Sequence, residues 1–189
     1  MPIASEIEPV DAGLWIWRAY DPAVKADLFS TAIATAAGLY LIDPIPLAAD
    51  ALAALMKFGT PAGIVLTNEN HQRAADHFAA QFQVPLYEGS FIAAGLAAIP
   101  IDGGPPGEVA VYCEAGGGTL IIGDALINCE PYGFALLPSK YCSNPRLMHR
   151  SLPKLLDYPF TRMLFAHGTP IVSRARQRLE QLLQGHLAR

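Results

Sequence analysis

Apolar residues in this chain fall into short runs, each closed by a polar or glycine tip. Leu39-Tyr40-Leu41-Ile42 ends at Asp43-Pro44, and Ile64-Val65-Leu66 ends at Thr67-Asn68. Residues 119–122 end at Gly123-Asp124, and Met163-Leu164-Phe165-Ala166 ends at His167-Gly168. Apolar runs of this length, bounded by turn residues, predict buried strands with polar residues at their tips. Aromatic residues 14–19 predict another strand. Residues 28–36 predict a weaker one, because their Ala and Thr content also suits a helix. Short strands are further expected at 85–87, 98–101 and 109–113.

Helical spacing predicts helices over 47–58, with Gly59 as the stop, and over 73–82. A third is expected over 147–156, interrupted by Pro153. The last covers 174–187, with Ser173 as its N-cap. Residues 130–145 read as irregular. Gly103–Gly107 and Gly116–Gly118 read as turns, since neither forms Gly-x-Gly-x-x-Gly or precedes Gly-Lys-Ser/Thr. Polar tips held by rigid strands are where sites are commonly built.

Composition narrows the classes. The chain has 189 residues, 52% of them hydrophobic and 16% charged. That excludes a disordered chain and a highly charged coiled coil. The net charge of −4 supplies no dominant basic field for nucleic acid. Mean hydropathy is +0.27. Its richest stretch, residues 30–56, is broken by Asp43, Pro44, Pro46 and Asp50, so no membrane partner is expected. The start lacks a basic and apolar leader, which points to the cytoplasm. Cys113, Cys129 and Cys142 form neither a disulfide framework nor a zinc ribbon. Such apolar content also suits a contact with a second copy of the chain, a homo-oligomer. Tyr132, Phe134, Tyr141 and Tyr158 suit a pocket wall or that contact.

The order of the tips resembles the metallo-β-lactamase superfamily over nearly the whole chain. Leu41-Ile42-Asp43-Pro44 looks like the strand whose aspartate orients the metal loop. Val65-Leu66-Thr67, followed by Asn68 to Arg73, stands where the family has its Thr and His-x-His-x-Asp-His motif. Gly103 to Gly107 resembles the Gly-His-Thr-Pro-Gly loop, Leu120 to Asp124 the strand with the bridging aspartate, and Met163 to Pro170 the closing strand and His-Gly. The resemblance implies an α+β fold, a four-layer αβ/βα sandwich, as a single domain over residues 1–189.

In the family this site holds two cations that make hydroxide available near neutral pH. Here the former ligand positions read Asn68, Asn70, Gln72, Arg73, Gly104, Asp124 and His167. Only Asp124 and His167 retain ligand residue types. A carboxamide is a weak ligand, and a guanidinium is always protonated and ligates nothing. The expectation is a hydrolase-like protein without a resident metal, serving as a binding or regulatory member. On this reading Arg73 replaces a metal and pairs bidentately with Asp124. Its ligand is expected to be a small molecule, with anions as the candidate class. The alternative is a hydrolase of a small ester, lactone or thioester. It would use one zinc, iron or manganese ion on His71, Asp124 and His167. Asp43 is expected to be structural, and Asp76 and His77 to lie on a solvated helix face.

Overall fold

Strands buried on both faces explain the apolar runs. The structure, a computed structural model, describes residues 1–89, 92–93 and 95–187. One mixed sheet carries β1 (Glu8–Asp11), β2 (Leu14–Asp21), β3 (Ala26–Thr35), β4 (Gly38–Ile42), β5 (Pro61–Val65) and β6 (Leu86–Tyr87) in that order. β1 to β4 pair antiparallel, and β4-β5-β6 pair parallel. The second sheet runs β13 (Arg162–Phe165), β10 (Thr119–Ile122), β9 (Val109–Cys113), β8 (Leu96–Pro100), β7 (Ile92–Ala93).

The period-two alternation of a strand sorts each run between two cores. Leu14, Ile16, Tyr40, Ile42 and Val65 meet Val111, Ile121 and Leu164 between the sheets. Their neighbours Trp15, Trp17, Leu39, Leu41 and Ile64 face the helix side, with Leu55 of α1 (Ala49–Met56) and Phe78 of α2 (Ala75–Phe82). On the far side, Ala110, Leu120, Ile122, Met163 and Phe165 pack with Met148 of α3 (Pro145–Ser151) and Leu179 of α4 (Ala175–Leu187). The result is the expected four-layer αβ/βα sandwich. It uses the apolar content internally. No helix among the described residues is long and apolar enough to cross a membrane.

Several elements differ from the sequence expectation. The weak strand is the longest one, β3, because it pairs along its length with β2 and half its length with β4. The helix expected from residue 73 begins at Ala75. It is preceded by a 3-10 turn over Glu69–His71 and by Arg73 at φ +41. The 147–156 helix ends at Ser151 and continues as a 3-10 turn over Leu152–Asp157, since Pro153 has no N–H to give an α-helical ladder. The irregular 130–145 segment contains β12 (Gly133–Leu136), which closes a hairpin with β11 (Leu126–Cys129).

The sheets converge at one end. Phe29 N donates to Ala166 O at 3.0 Å, and Val109 N donates to Thr67 O at 2.7 Å. These cross-links bring all four polar tips to one edge. Leu164, 1% exposed, sits between the sheets beneath that edge. Leu164→Ala is expected to cost about 2–5 kcal/mol of unfolding free energy, read from denaturant melts.

Candidate functional site

Asp43 is the first fixed point. It follows β4 at φ +48 and is 2% exposed. Its Oδ1 accepts from Thr67 N at 2.8 Å, and its Oδ2 accepts from the Thr67 hydroxyl at 2.5 Å. His71 Nδ1 lies 2.9 Å from the same Oδ2. The Asp43 carbonyl accepts from Ser30 Oγ at 2.7 Å. A buried carboxylate with this many donors is structural and ionised. Burial opposes its charge, but His71 and Arg73 hold its pKa below the usual carboxylate range.

His71, 3% exposed, is turned inward by the 3-10 turn that follows the Thr67 tip. Its Nε2 stands 3.3 Å from Asp124 Oδ1. His167 Nε2 stands 3.3 Å from that same oxygen. The three ligand-type atoms lie within 4.8 Å of one another. Gly168, at φ +114, follows His167 because a Cβ there would meet the Asn128 carbonyl oxygen at 2.2 Å. Only glycine lets β11 pass so close beside the histidine.

Asn68 is fully engaged. Its Oδ1 accepts from Asn70 N at 2.9 Å. Its Nδ2 donates to Glu108 Oε2 at 2.8 Å and to Asp124 Oδ2 at 3.1 Å. Glu108, 3% exposed, also accepts from the backbone N–H groups of Asp124 and Ala125, each at 2.8 Å. Sequence reasoning missed this residue. The available signal was an acidic side chain at the mouth of the apolar run 109–113, directly after Gly107.

Arg73 does not pair with Asp124, which corrects the expected bidentate bridge. Its Nη1 donates to the carbonyls of Phe29 at 2.6 Å and Asp43 at 3.0 Å. Its buried Nη2 has no hydrogen-bond partner among the described residues. The two imidazoles take the Asp124 oxygen that the guanidinium was expected to bind. Asn70 is exposed at the rim of the cleft. Gln72 uses its carbonyl to accept from Ala75 N at the start of α2. Gly104 is buried, with its carbonyl accepting from Ser143 Oγ at 2.8 Å. A Cβ at Gly104 would meet Glu108 Cγ at 3.1 Å. Asp76 and His77 are exposed on α2.

Electrostatics follow from this packing. Burial works against a charged His71, but the Asp43 carboxylate and the hydrogen bonds to Asp124 and Asp43 raise its pKa to about 9. Burial likewise opposes a charged Asp124, but His71, His167 and Asn68 hold it at about 2. Burial, with the positive Arg73 and His71, pushes His167 down to about 4 against the pull of Asp124. Burial and the Asp124 charge push Glu108 up to about 8, against its N–H donors. The cations His71 and Arg73 thus stand among the carboxylates of Asp43 and Asp124, while burial disfavours charge on His167 and Glu108.

The metal test has two parts. The family's dinuclear site does not fit. Asn68 has no free carboxamide group, Glu108 crowds the place of a side chain at 104, and Arg73 brings a fixed positive charge. A single ion does fit the convergent His71, His167 and Asp124 atoms geometrically. In that case Asp43 would orient His71 through Nδ1, as outer carboxylates do for metal-bound imidazoles. The ion would compete with the proton that His71 holds.

The family model described as metallo-beta-lactamase superfamily matches residues 10–86. No curated protein sequence matches the chain with significance. Among solved structures, TMB-1 is similar at a TM-score of 0.70 and 13% identity, over 99% of this chain and 100% of its own. A metallo-beta-lactamase from Pontibacter korlensis gives 0.68 and 17%, over 95% and 98%. One from Hirschia baltica gives 0.69 and 12%, over 97% of each chain. At such identities these likenesses speak for the fold.

The pKa directions set a stability prediction for chelator-treated protein. His71 is raised from 6.5 to about 9 by folding, so its stabilisation is complete below 6.5 and lost as pH rises through 9. Glu108, raised from 4.5 to about 8, acts in the same direction over the lower part of that window. The melting temperature is expected to fall between pH 6.5 and 9. The His71 share of the loss is on the order of 3 kcal/mol, and that share should vanish in His71→Gln. A flat profile would contradict the charge assignment.

Proposed function

We propose that the chain is a metallo-β-lactamase-superfamily protein, in line with the family model over residues 10–86 and the shared fold, and a hydrolase-like member working without a resident metal, as a binding or regulatory protein. One observation carries this reading. His71 bridges Asp43 and Asp124 at 2.9 Å and 3.3 Å, and Arg73 is held on the Asp43 carbonyl at 3.0 Å, so an imidazole and a guanidinium stand where the family places metal ions. Bound cations elsewhere in the fold balance buried carboxylates. Here a protonated imidazole and a guanidinium do so. A divalent ion entering at His71 Nε2 must first displace a proton that both carboxylates stabilise. It would also face the charge of Arg73. Both terms weaken metal affinity relative to an ordinary His/Asp site.

A second reading rests on the convergence of His71 Nε2, His167 Nε2 and Asp124 Oδ1 within 4.8 Å. Three protein ligands with an open cleft are the usual set for one catalytic ion. Zinc, iron or manganese held there would supply Lewis acidity for hydrolysis of a small ester, lactone or thioester. The chain's own contribution would be the Asp43–His71 and Asn68–Asp124 hydrogen bonds that orient two of the ligands.

Elemental analysis separates the two. Untagged protein is expressed with each metal in turn and gel-filtered. We expect less than about 0.1 metal per chain in every case, because the proton and Arg73 oppose binding. About one ion per chain, lost in Asp124→Ala and His167→Ala, would overturn the metal-free reading. Hydrolase activity lost in the same variants would establish the second one.

A further inference from the structure

The cleft has two unlike ends. The inner cavity, of about 270 Å³, is lined by Asn70, His71, Arg73, Asp124 and His167, with Met1, Asp21, Val24 and Leu28 at its side. The outer cavity, of about 480 Å³, is lined by Ile127, Leu137, Pro138, Tyr132 and Tyr141. Val24, Asn70, Asp124 and His167 line both, so the two are one continuous cleft.

At the inner end, Arg73 carries a buried Nη2 with no partner among the described residues. The guanidinium is held by Nη1 on the Phe29 and Asp43 carbonyls. Its remaining donor capacity is therefore fixed in place and unmet. An unmet buried donor is costly, and a ligand oxygen that accepts from it removes that cost. The carboxylates here are engaged within the chain: Asp21 Oδ1 accepts from Ala23 N at 2.8 Å, and both Asp124 oxygens have partners. Asp124 Oδ1 faces two imidazoles and its Oδ2 takes the Asn68 amide. At the outer end, Tyr132 and Tyr141 are each 58% exposed beside Ile127 and Leu137. Lys140 Nζ stands over one face of the Tyr141 ring at 4.7 Å, and the exposed ring surface that remains, beside aliphatic side chains, suits a chain-like apolar group.

We propose that this cleft binds a small amphiphilic monoanion, a carboxylate with an apolar chain. Its oxyanion is seated against Arg73 beside Asn70, and its chain lies along Ile127, Leu137, Tyr132 and Tyr141. This rests on the metal-free reading and gives it a ligand class. A phosphate dianion suits the site less, because Arg73 already balances buried carboxylate charge.

Binding of acetate, butanoate, hexanoate, octanoate, octylammonium and 1-octanol to the full chain is measured by calorimetry or NMR titration. The buffer contains EDTA. Affinity is expected to rise about threefold to fourfold per methylene along the carboxylates. Octanoate is expected to bind at least about tenfold tighter than octylammonium or octanol. Arg73→Gln should remove that preference. Because Arg73 also supports two carbonyls, the exposed pair Tyr132→Ser/Tyr141→Ser serves as a second variant. It should weaken octanoate about fivefold or more and leave acetate unchanged. Equal binding of octylammonium or octanol, no dependence on chain length, or an unaffected tyrosine pair would each overturn the proposal. If the protein proves metal-free yet binds no carboxylate, this inference fails and the reading above stands. If it carries stoichiometric metal but, in EDTA, still selects octanoate through Arg73, the reverse holds.

Discussion

The site depends on one buried chain of contacts, Asp43 to His71 to Asp124. Asp43 and Asp124 sit at the ends of strands in opposite sheets, and His71 reaches both, at 2.9 Å and 3.3 Å. Two carboxylates in a dry interior require compensating charge nearby. The imidazole gives it through hydrogen bonds at both ring nitrogens, and Arg73 adds a second charge from the adjoining turn. The left-handed backbone at Asp43 and Arg73 is held in place by this same set of bonds. Strain of that kind persists only where surrounding contacts over-determine it.

Asn68, Glu108 and Gly104 form an interlocked set. Asn68 bridges Glu108 and Asp124 with both protons of its amide. Glu108 caps the backbone at 124 and 125 and fills the space beside Gly104. Each of these residues thereby supports another. A histidine at 68 would take one of three donors from Glu108, and a side chain at 104 would press on Glu108 Cγ, which a Cβ there meets at 3.1 Å. The hydrogen-bonded cluster is thus a property of the group of residues.

Burial of strands on both faces gives this cluster its setting. The sheets press an apolar layer between them and expose their strand ends at one edge. The β11–β12 hairpin then adds Ile127 to one wall of the cleft, continued by Leu137, Tyr132 and Tyr141. A charge-balanced inner end and an apolar outer end follow from the same topology.

Much of this was legible along the chain. Short apolar runs ending in Asp43, Thr67-Asn68, Asp124 and His167 specify strands and place the polar tips, because a strand buried on both faces leaves no apolar alternation to misread. The family resemblance rested on the order of those tips and extended to the fold. The sequence also showed which former ligand positions hold carboxamides, a glycine or a guanidinium. What it left open was partner choice. Arg73 reads as the mate of Asp124 because opposite charges attract. The structure gives that place to His71 and His167 and turns Arg73 to two backbone carbonyls. Glu108, which the sequence pattern did not single out, is a buried cap. Local patterning determines which residues reach a strand end. Which of several competing donors occupies a given carboxylate oxygen is decided by backbone turns and steric room from elements distant in sequence, and those exist only in the folded state.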